Sequence, residues 1–121
     1  MADTIIFDLE TDNLLPEVSK IHCIGTLCPG QMVEPLAFSN GPGEVRTSVG
    51  VKALSDASIL IGHNILYYDL PVLRKLYPNY SWDDQIIIDT LLLSRLLYPD
   101  LKAKDFSRRP KLMPRPRCQR R

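Results

Sequence analysis

The sequence predicts an α/β fold with a mixed sheet, in which an antiparallel three-strand meander is followed by parallel strands with flanking helices. Two observations support this prediction. Three strand-like segments follow one another near the start with no helical pattern between them. Residues 42–100 then alternate helical and strand patterns, as parallel βα units do. A length of 121 residues limits the chain to one domain.

The first three segments form the predicted meander. The segment TIIFDLE (4–10) is rich in β-branched and aromatic residues, which favours a central strand. KIHCIGTLC (20–28) and MVEPLAF (32–38) predict two further strands, and PGQ (29–31) predicts the turn between them. Pro35 cannot donate a backbone hydrogen bond, so the third strand should lie at an edge of the sheet.

The rest of the domain alternates helices with short apolar strands. In order, the predicted elements are a helix in PGEVRTSVGVKALSDA (42–57), a buried strand in SILIGHN (58–64), a helix in YDLPVLRKLY (68–77), and a strand followed by a helix in QIIIDTLLLSRLLYP (85–99). Pro71 fits the first turn of its helix, because no hydrogen bond is lost there.

Charge divides the chain into two parts. Residues 1–100 contain six Lys and Arg against 13 Asp and Glu, whereas residues 101–121 contain nine Lys and Arg against Asp105 alone. The second part also has three prolines and no sustained period, so it predicts a basic tail without regular structure. Two interpretations fit the tail: an arm that binds nucleic acid, or out-of-frame translation of a longer gene.

Composition favours a cytoplasmic protein. No apolar run approaches the ~20 residues that span a bilayer, and the acidic start MADTIIFDLE does not suit a signal peptide. The three cysteines are odd in number and form no CxxC pair, so we expect reduced thiols and no zinc site.

Asp8 and Glu10 are the first candidate site residues. Alternate residues of a strand point to the same side, so the two carboxylates can face one spot. Carboxylates held close together repel each other, and Mg²⁺ or Mn²⁺ commonly stabilises such pairs. By themselves, however, they are more typical of a solvated strand end than of a metal site.

Further polar residues follow the later strands. His63 and Asn64 come directly after one strand, Asp69 opens the next helix, and Asp89 ends the last strand. Ligands of open α/β sheets gather at such strand ends. Both aspartates also fit a second role, that of capping a helix N-terminus.

Three ordered segments carry a family resemblance. FDLETDNLL, GHNILYYDLPVL and IIIDTLLLSRLLYP resemble the motifs of the DnaQ-like (DEDD) 3′–5′ exonuclease superfamily, in particular the proofreading domains of family-A DNA polymerases from short-tailed phages. The resemblance covers residues 4–100. It implies a ribonuclease H-like fold, a phage or bacterial-host context, and hydrolysis of single-stranded DNA from its 3′ end with two Mg²⁺ or Mn²⁺ ions.

The resemblance also assigns residues. Its metal ligands fall on Asp8, Glu10 and Asp69, and its supporting aspartate on Asp89. Its substrate-binding positions are Thr11, Leu14, His63 and Asn64, where the leucine would act as an apolar wedge against the terminal base.

The sequence departs from the family at its third motif, a Tyr or His four residues before a fourth aspartate on a late helix. Only Tyr80 and Asp84 have this spacing, and they fall in a predicted loop before Asp89. We therefore expect a fold that is incomplete at its C-terminus, weak or absent activity, and one bound metal ion in place of two. Two alternatives stay open: a noncatalytic nucleic-acid-binding or assembly module, and an enzyme completed by a polymerase domain or a second copy.

Overall fold

The computed structural model describes residues 4–32 and 34–100, which form a five-stranded mixed sheet with the strand order β3-β2-β1-β4-β5. In chain order the elements are β1 (Thr4–Thr11), β2 (Ile21–Leu27), β3 (Leu36–Ser39), α1 (Thr47–Asp56), β4 (Ile59–Gly62), a π-helical turn (Ile65–Asp69), α2 (Leu70–Leu76), β5 (Ile86–Asp89) and α3 (Thr90–Leu97). This order and the mixed sheet confirm the predicted fold class.

Strand β1 lies at the centre of the sheet and carries the first motif. It pairs antiparallel with β2 and parallel with β4, and β4 pairs parallel with β5. Ile5, Phe7 and Leu9 are buried. Asp8 lies between Phe7 and Leu9, Glu10 follows Leu9, and both acidic side chains are exposed. The alternation predicted from the sequence therefore holds, and it places both acidic side chains on the same side of β1.

Strand β3 and helix α1 begin four and five residues later than the sequence predicts. Strand β3 begins at Leu36, after Pro35, because proline has no N–H for the pairing with β2. Helix α1 begins at Thr47, since Gly43 adopts a left-handed conformation with φ of 76° just before it. Asn40 Oδ1 accepts hydrogen bonds from the Thr47 N–H and hydroxyl, each at 3.2 Å, and so fixes the start of α1.

The core lies between the sheet and helices α1 and α2. Its fully buried members include Ile24, Leu54, Leu60, Ile65 and Leu73. Helix α3 contrasts with the other two, because none of its residues is buried. Among the described residues, no helix is long and apolar enough to cross a membrane. The predicted basic tail, residues 101–121, lies outside the described residues.

Candidate active site at the carboxyl ends of three strands

The polar residues predicted from the sequence gather at one edge of the sheet. Strands β1, β4 and β5 run parallel, so their carboxyl ends point the same way. Pairing of β1 with β4 reaches only Ile6, so Asp8 and Glu10 extend past the last residue of β4. Gly62 is opposite Asp89 in the register of β4 and β5, which places the end of β5 at the same edge.

Asp69 is the buried carboxylate of this edge. Its side chain is 3% exposed, and its Oδ2 accepts a hydrogen bond from the backbone N–H of Leu9 at 3.3 Å. Burial, with the negative charge of Asp8 as a second cause, raises the pKa of Asp69 to about 7, although the Leu9 N–H opposes the change. Asp69 makes no side-chain capping bond to α2, so the capping alternative for this residue is wrong.

Asp89 has a structural role that the sequence left open. Its carboxylate accepts from the N–H groups of Leu91 and Leu92 at 2.9 and 3.4 Å and thereby caps α3. It also accepts from Asn64 and Leu66 at 2.9 and 3.0 Å, which fastens the turn after β4. Burial raises the pKa of Asp89, but these four donors outweigh it and hold the pKa below its ordinary value. The capping prediction is confirmed.

The turn after β4 has unusual backbone geometry. Asn64 adopts the left-handed conformation with φ of 59°, and a π-helical turn follows it. A Cβ at Gly62 would lie 2.3 Å from Ile65 Cγ2 and 2.9 Å from the Phe7 carbonyl oxygen, so only glycine fits there. His63 is exposed, and its Nδ1 lies 3.0 Å from Thr90 Oγ1.

The segment after β1 carries the other predicted substrate-binding residues. Thr11 Oγ1 donates to the Asn13 carbonyl at 2.9 Å and also hydrogen-bonds the Tyr68 hydroxyl. The Leu14 side chain is 70% exposed. The backbone of Leu14 is nevertheless held, because its N–H donates to Asn13 Oδ1 and its carbonyl accepts from the Val18 N–H.

Sequence reasoning missed three residues that hold this segment. Asp12 accepts from the Ser19 hydroxyl and from the Ser19 and Lys20 N–H groups, and the Ser19 hydroxyl is the main cause of its lowered pKa. Lys75 donates from α2 to the Pro16 and Val18 carbonyls. Tyr68 binds Thr11 and Asn13. Only Asp12 had a local signal, since Asp-Asn is typical of turns.

The donor chemistry of the site fits a hard divalent cation. Asp8, Glu10 and Asp69 offer carboxylate oxygens, and the ion pairs found among residues 4–32 and 34–100 join Lys52 to Asp56 and Arg74 to Asp83, away from these three. Burial and, second, the charge of Asp8 raise the pKa of Asp69, and a cation would favour its charged form. Within the same ranges, however, no three His, Cys, Asp or Glu side chains are already arranged as a metal cluster.

The sheet order and the motif-bearing strand ends define a ribonuclease H-like fold, and comparisons with known proteins support it. The chain is 29% identical over 106 residues to a DNA-directed DNA polymerase of Enterobacteria phage T3, and 28% identical over 106 residues to that of Escherichia phage T7. Each match covers 84% of this chain and 15% of the polymerase. No protein-family profile matches the chain.

Two solved structures show the same fold. The zinc-bound complex of E. coli ExoI with single-stranded DNA superposes with a TM-score of 0.60 at 17% identity, over 78% of this chain and 29% of ExoI. The family B DNA polymerase of Pyrobaculum calidifontis superposes with a TM-score of 0.56 at 14% identity, over 92% of this chain and 19% of that one. The predicted resemblance to the DnaQ-like superfamily and the predicted ribonuclease H-like fold are therefore confirmed.

Proposed function

We propose that this chain is a 3′–5′ exonuclease domain of the DNA polymerase proofreading type, acting on the 3′ ends of single-stranded DNA. The observation that carries the proposal is the placement of Asp69, which is buried against β1 and whose pKa is raised by this burial and, second, by the charge of Asp8. Carboxyl groups whose pKa values are shifted by burial and a specific charged neighbour are typical of functional sites. The likeness to phage DNA polymerases supports the same reaction class.

In this proposal, Asp8, Glu10 and Asp69 hold Mg²⁺ or Mn²⁺. When bound, the metal supplies an activated water and neutralises charge on the phosphodiester. The Leu9 N–H orients the Asp69 carboxylate. Leu14 presents an exposed apolar side chain to the terminal base, while Thr11, His63 and Asn64 line the path of the strand. Asp89 supports the site by fixing the turn that carries Asn64.

The proposed activity of the chain by itself is weak or absent, with one metal ion bound in place of two. Among residues 90–121, no Tyr or His lies four positions before an aspartate, so the chain offers three carboxylates where the family uses four. A site with fewer ligands binds its metal less tightly and orients the attacking water less well.

The test is release of 3′-terminal nucleotides from a labelled single strand in the presence of Mn²⁺. We expect slow release that Asp8→Ala abolishes and that Asp56→Ala, a change at an exposed ion pair with Lys52, leaves unchanged. Rapid release that depends on Asp8 would overturn the proposed weakness. Slow release that survives Asp8→Ala would instead overturn the exonuclease site.

Metal binding can be measured without turnover. Mn²⁺ that binds the folded protein should raise its melting temperature, by an amount that grows with the metal concentration. We expect this rise in the wild type and in Asp56→Ala, and its loss in Asp8→Ala and Asp69→Ala. Equal stabilisation of all four proteins would show that the ion binds elsewhere.

A noncatalytic nucleic-acid-binding module is the second candidate function. The observation that favours it is the charge of residues 101–121, which carry nine Lys and Arg against one acidic residue. Such a segment binds phosphate backbones and loses affinity steeply with salt. Deleting residues 101–121 should then remove most of a salt-sensitive affinity for single-stranded DNA. Unchanged affinity would exclude the tail as the binding element.

We also propose that a partner protein completes the metal site. The chain spans 15% of the length of the curated phage polymerases it matches, so a polymerase domain or a second copy is the proposed source of a fourth carboxylate. Added partner should then increase Mn²⁺-dependent release. An increase that persists in Asp8→Ala would come from the partner's own site.

A further inference from the structure

Tyr68 joins the first and second motifs through its hydroxyl group. The hydroxyl oxygen lies 2.7 Å from the Asn13 carbonyl oxygen and within hydrogen-bonding distance of Thr11 Oγ1, which lies 2.9 Å from the same carbonyl. The two hydroxyls have one proton each and share them among these three contacts. Three groups therefore form a closed triangle, although Tyr68 is separated from Asn13 by 55 positions in sequence. The triangle ties the end of β1 to the turn that leads into α2.

The position of Tyr68 next to Asp69 makes this contact informative. Asp69 accepts from the Leu9 N–H, and Tyr68 binds Thr11 and Asn13, so two consecutive residues hold successive points along the same stretch of chain. The carboxylate and the hydroxyl are thus fixed relative to each other through one backbone. Movement of the segment after β1 away from α2 would have to break the contacts of Tyr68.

The residue that follows this triangle is Leu14. Its N–H donates to Asn13 Oδ1 at 2.9 Å, so the Asn13 side chain holds the Leu14 backbone. Further along, Lys75 binds the Pro16 and Val18 carbonyls and secures the other end of the segment. Between these anchors the Leu14 side chain remains 70% exposed.

We propose that Tyr68 is a positioning residue, whose hydroxyl sets the distance between Leu14 and the metal-binding carboxylates so that the terminal base and the scissile phosphate are engaged together. The inference rests on the proposed exonuclease function. The Tyr68 ring is half-buried and packs against the core, which a phenylalanine ring would do equally well. The hydroxyl is therefore the part of the side chain that fixes the segment.

The first test is hydrogen exchange of Tyr68→Phe in the metal-free protein. Loss of one hydrogen-bonding group should speed exchange of the Asp12, Leu14 and Val18 amides about three- to tenfold, while β2 is unchanged. Tyr67→Phe is the matched control, since Tyr67 is the neighbouring tyrosine and is 72% exposed. Thr11→Val removes another corner of the triangle and should reproduce the effect. Unchanged exchange in both Tyr68→Phe and Thr11→Val overturns the proposal.

The second test separates positioning of Leu14 from a general structural role. Affinity is measured in Ca²⁺ for two oligonucleotides, one normal and one with an abasic 3′-terminal nucleotide. Tyr68→Phe should weaken binding of the normal strand about three- to tenfold and leave binding of the abasic strand unchanged, because no base is then present to contact Leu14. Equal weakening of both strands overturns the proposal.

A double-mutant cycle completes the design. Leu14→Ala should weaken binding of the normal strand in the wild type and have little further effect in Tyr68→Phe, because the two residues act on one contact. If the fold-changes in affinity of Leu14→Ala and Tyr68→Phe multiply in the double variant, the two residues act independently and the proposed coupling between them is overturned. Faster exchange in Tyr68→Phe together with a wild type that binds neither strand would overturn the exonuclease function, and it would support the role of Tyr68 in fixing the segment.

Discussion

The backbone N–H of Leu9 donates a hydrogen bond to Asp69 Oδ2 at 3.3 Å, across 60 positions of sequence. Leu9 lies between Asp8 and Glu10 on β1, so this bond sets the second-motif carboxylate beside the strand that carries the first motif. The same placement buries Asp69 and brings it within range of the negative charge of Asp8. The site therefore holds electrostatic repulsion that a bound cation or a proton can relieve.

Asp69→Asn should stabilise the metal-free protein at pH 8 and have little effect at pH 4. The pKa of Asp69 rises from 3.8 to about 7 on folding, so the folded protein holds this proton more tightly than the unfolded chain does. The contribution of Asp69 to the free energy of unfolding is therefore most favourable below pH 4 and is lost as the pH rises through 7. A pKa change of this size corresponds to about 4 kcal/mol at most, and we expect about 1–2 kcal/mol after solvent screening.

Urea denaturation in EDTA at both pH values measures this difference. The asparagine retains a carbonyl oxygen that can accept from the Leu9 N–H, so the hydrogen bond need not be lost. Asp56→Asn is the control, because Asp56 is exposed and pairs with Lys52 four residues earlier; its loss should change the stability little at either pH. A destabilised Asp69→Asn protein at pH 8 would contradict the repulsion.

Local patterns explain which parts of the site could be predicted. The alternation of Ile5, Phe7 and Leu9 with Asp8 and Glu10 has the period of a strand, and it correctly placed the two carboxylates on one side. Asp89 before a helical pattern correctly predicted a cap. These features depend on residues within a few positions of each other, which a sequence displays directly.

The contacts that assemble the site were not predictable in the same way. Asp69 fits a cap by its position, yet the structure pairs it with Leu9. The Tyr68 hydroxyl and the Lys75 ammonium reach backbone carbonyls that lie 55 to 59 positions away. Any carbonyl can accept such a bond, so nothing in the sequence around the acceptors marks them.

Asp89→Ala should destabilise the protein by about 2–4 kcal/mol at neutral pH. It removes the cap of α3, typically worth about 1 kcal/mol, and it leaves the Asn64 and Leu66 N–H groups without their acceptor. Because folding lowers the pKa of Asp89, its stabilisation is present above the ordinary value near 3.8 and is lost as the pH falls through the folded value.

Chemical denaturation at pH 7 and pH 3 would measure the Asp89 effect. Asp84→Ala is a suitable control, because Asp84 is exposed and accepts from the Ser81 hydroxyl in a loop; we expect a change within about 0.5 kcal/mol. A loss of stability for Asp89→Ala that is as large at pH 3 as at pH 7 would show that the charge of the carboxylate is not responsible.

Gly62→Ala should cost about 1–3 kcal/mol, because the added Cβ would lie 2.3 Å from Ile65 Cγ2 and 2.9 Å from the Phe7 carbonyl oxygen. Gly25→Ala is the matched control in the same sheet. Gly25 pairs with Asp8 on β1, and a Cβ there meets no atom within 4 Å, so alanine should be neutral or slightly stabilising. Thermal unfolding of both variants measures the difference, and equal melting temperatures would contradict the tight packing of the turn.

Leu96→Lys should leave the free energy of unfolding within about 0.5 kcal/mol of the wild type, although leucine on a helix is usually a core residue. Leu96 is 72% exposed, and helix α3 buries none of its residues. A lysine in the last turn also suits the helix dipole.

Leu54→Ala is the contrasting variant, because Leu54 is fully buried and its truncation should cost about 2–5 kcal/mol. The lysine should also reduce self-association in sedimentation experiments, since Leu92, Leu93 and Leu97 beside it are exposed as well. A loss above about 2 kcal/mol for Leu96→Lys would mean that another part of the protein covers this side of α3.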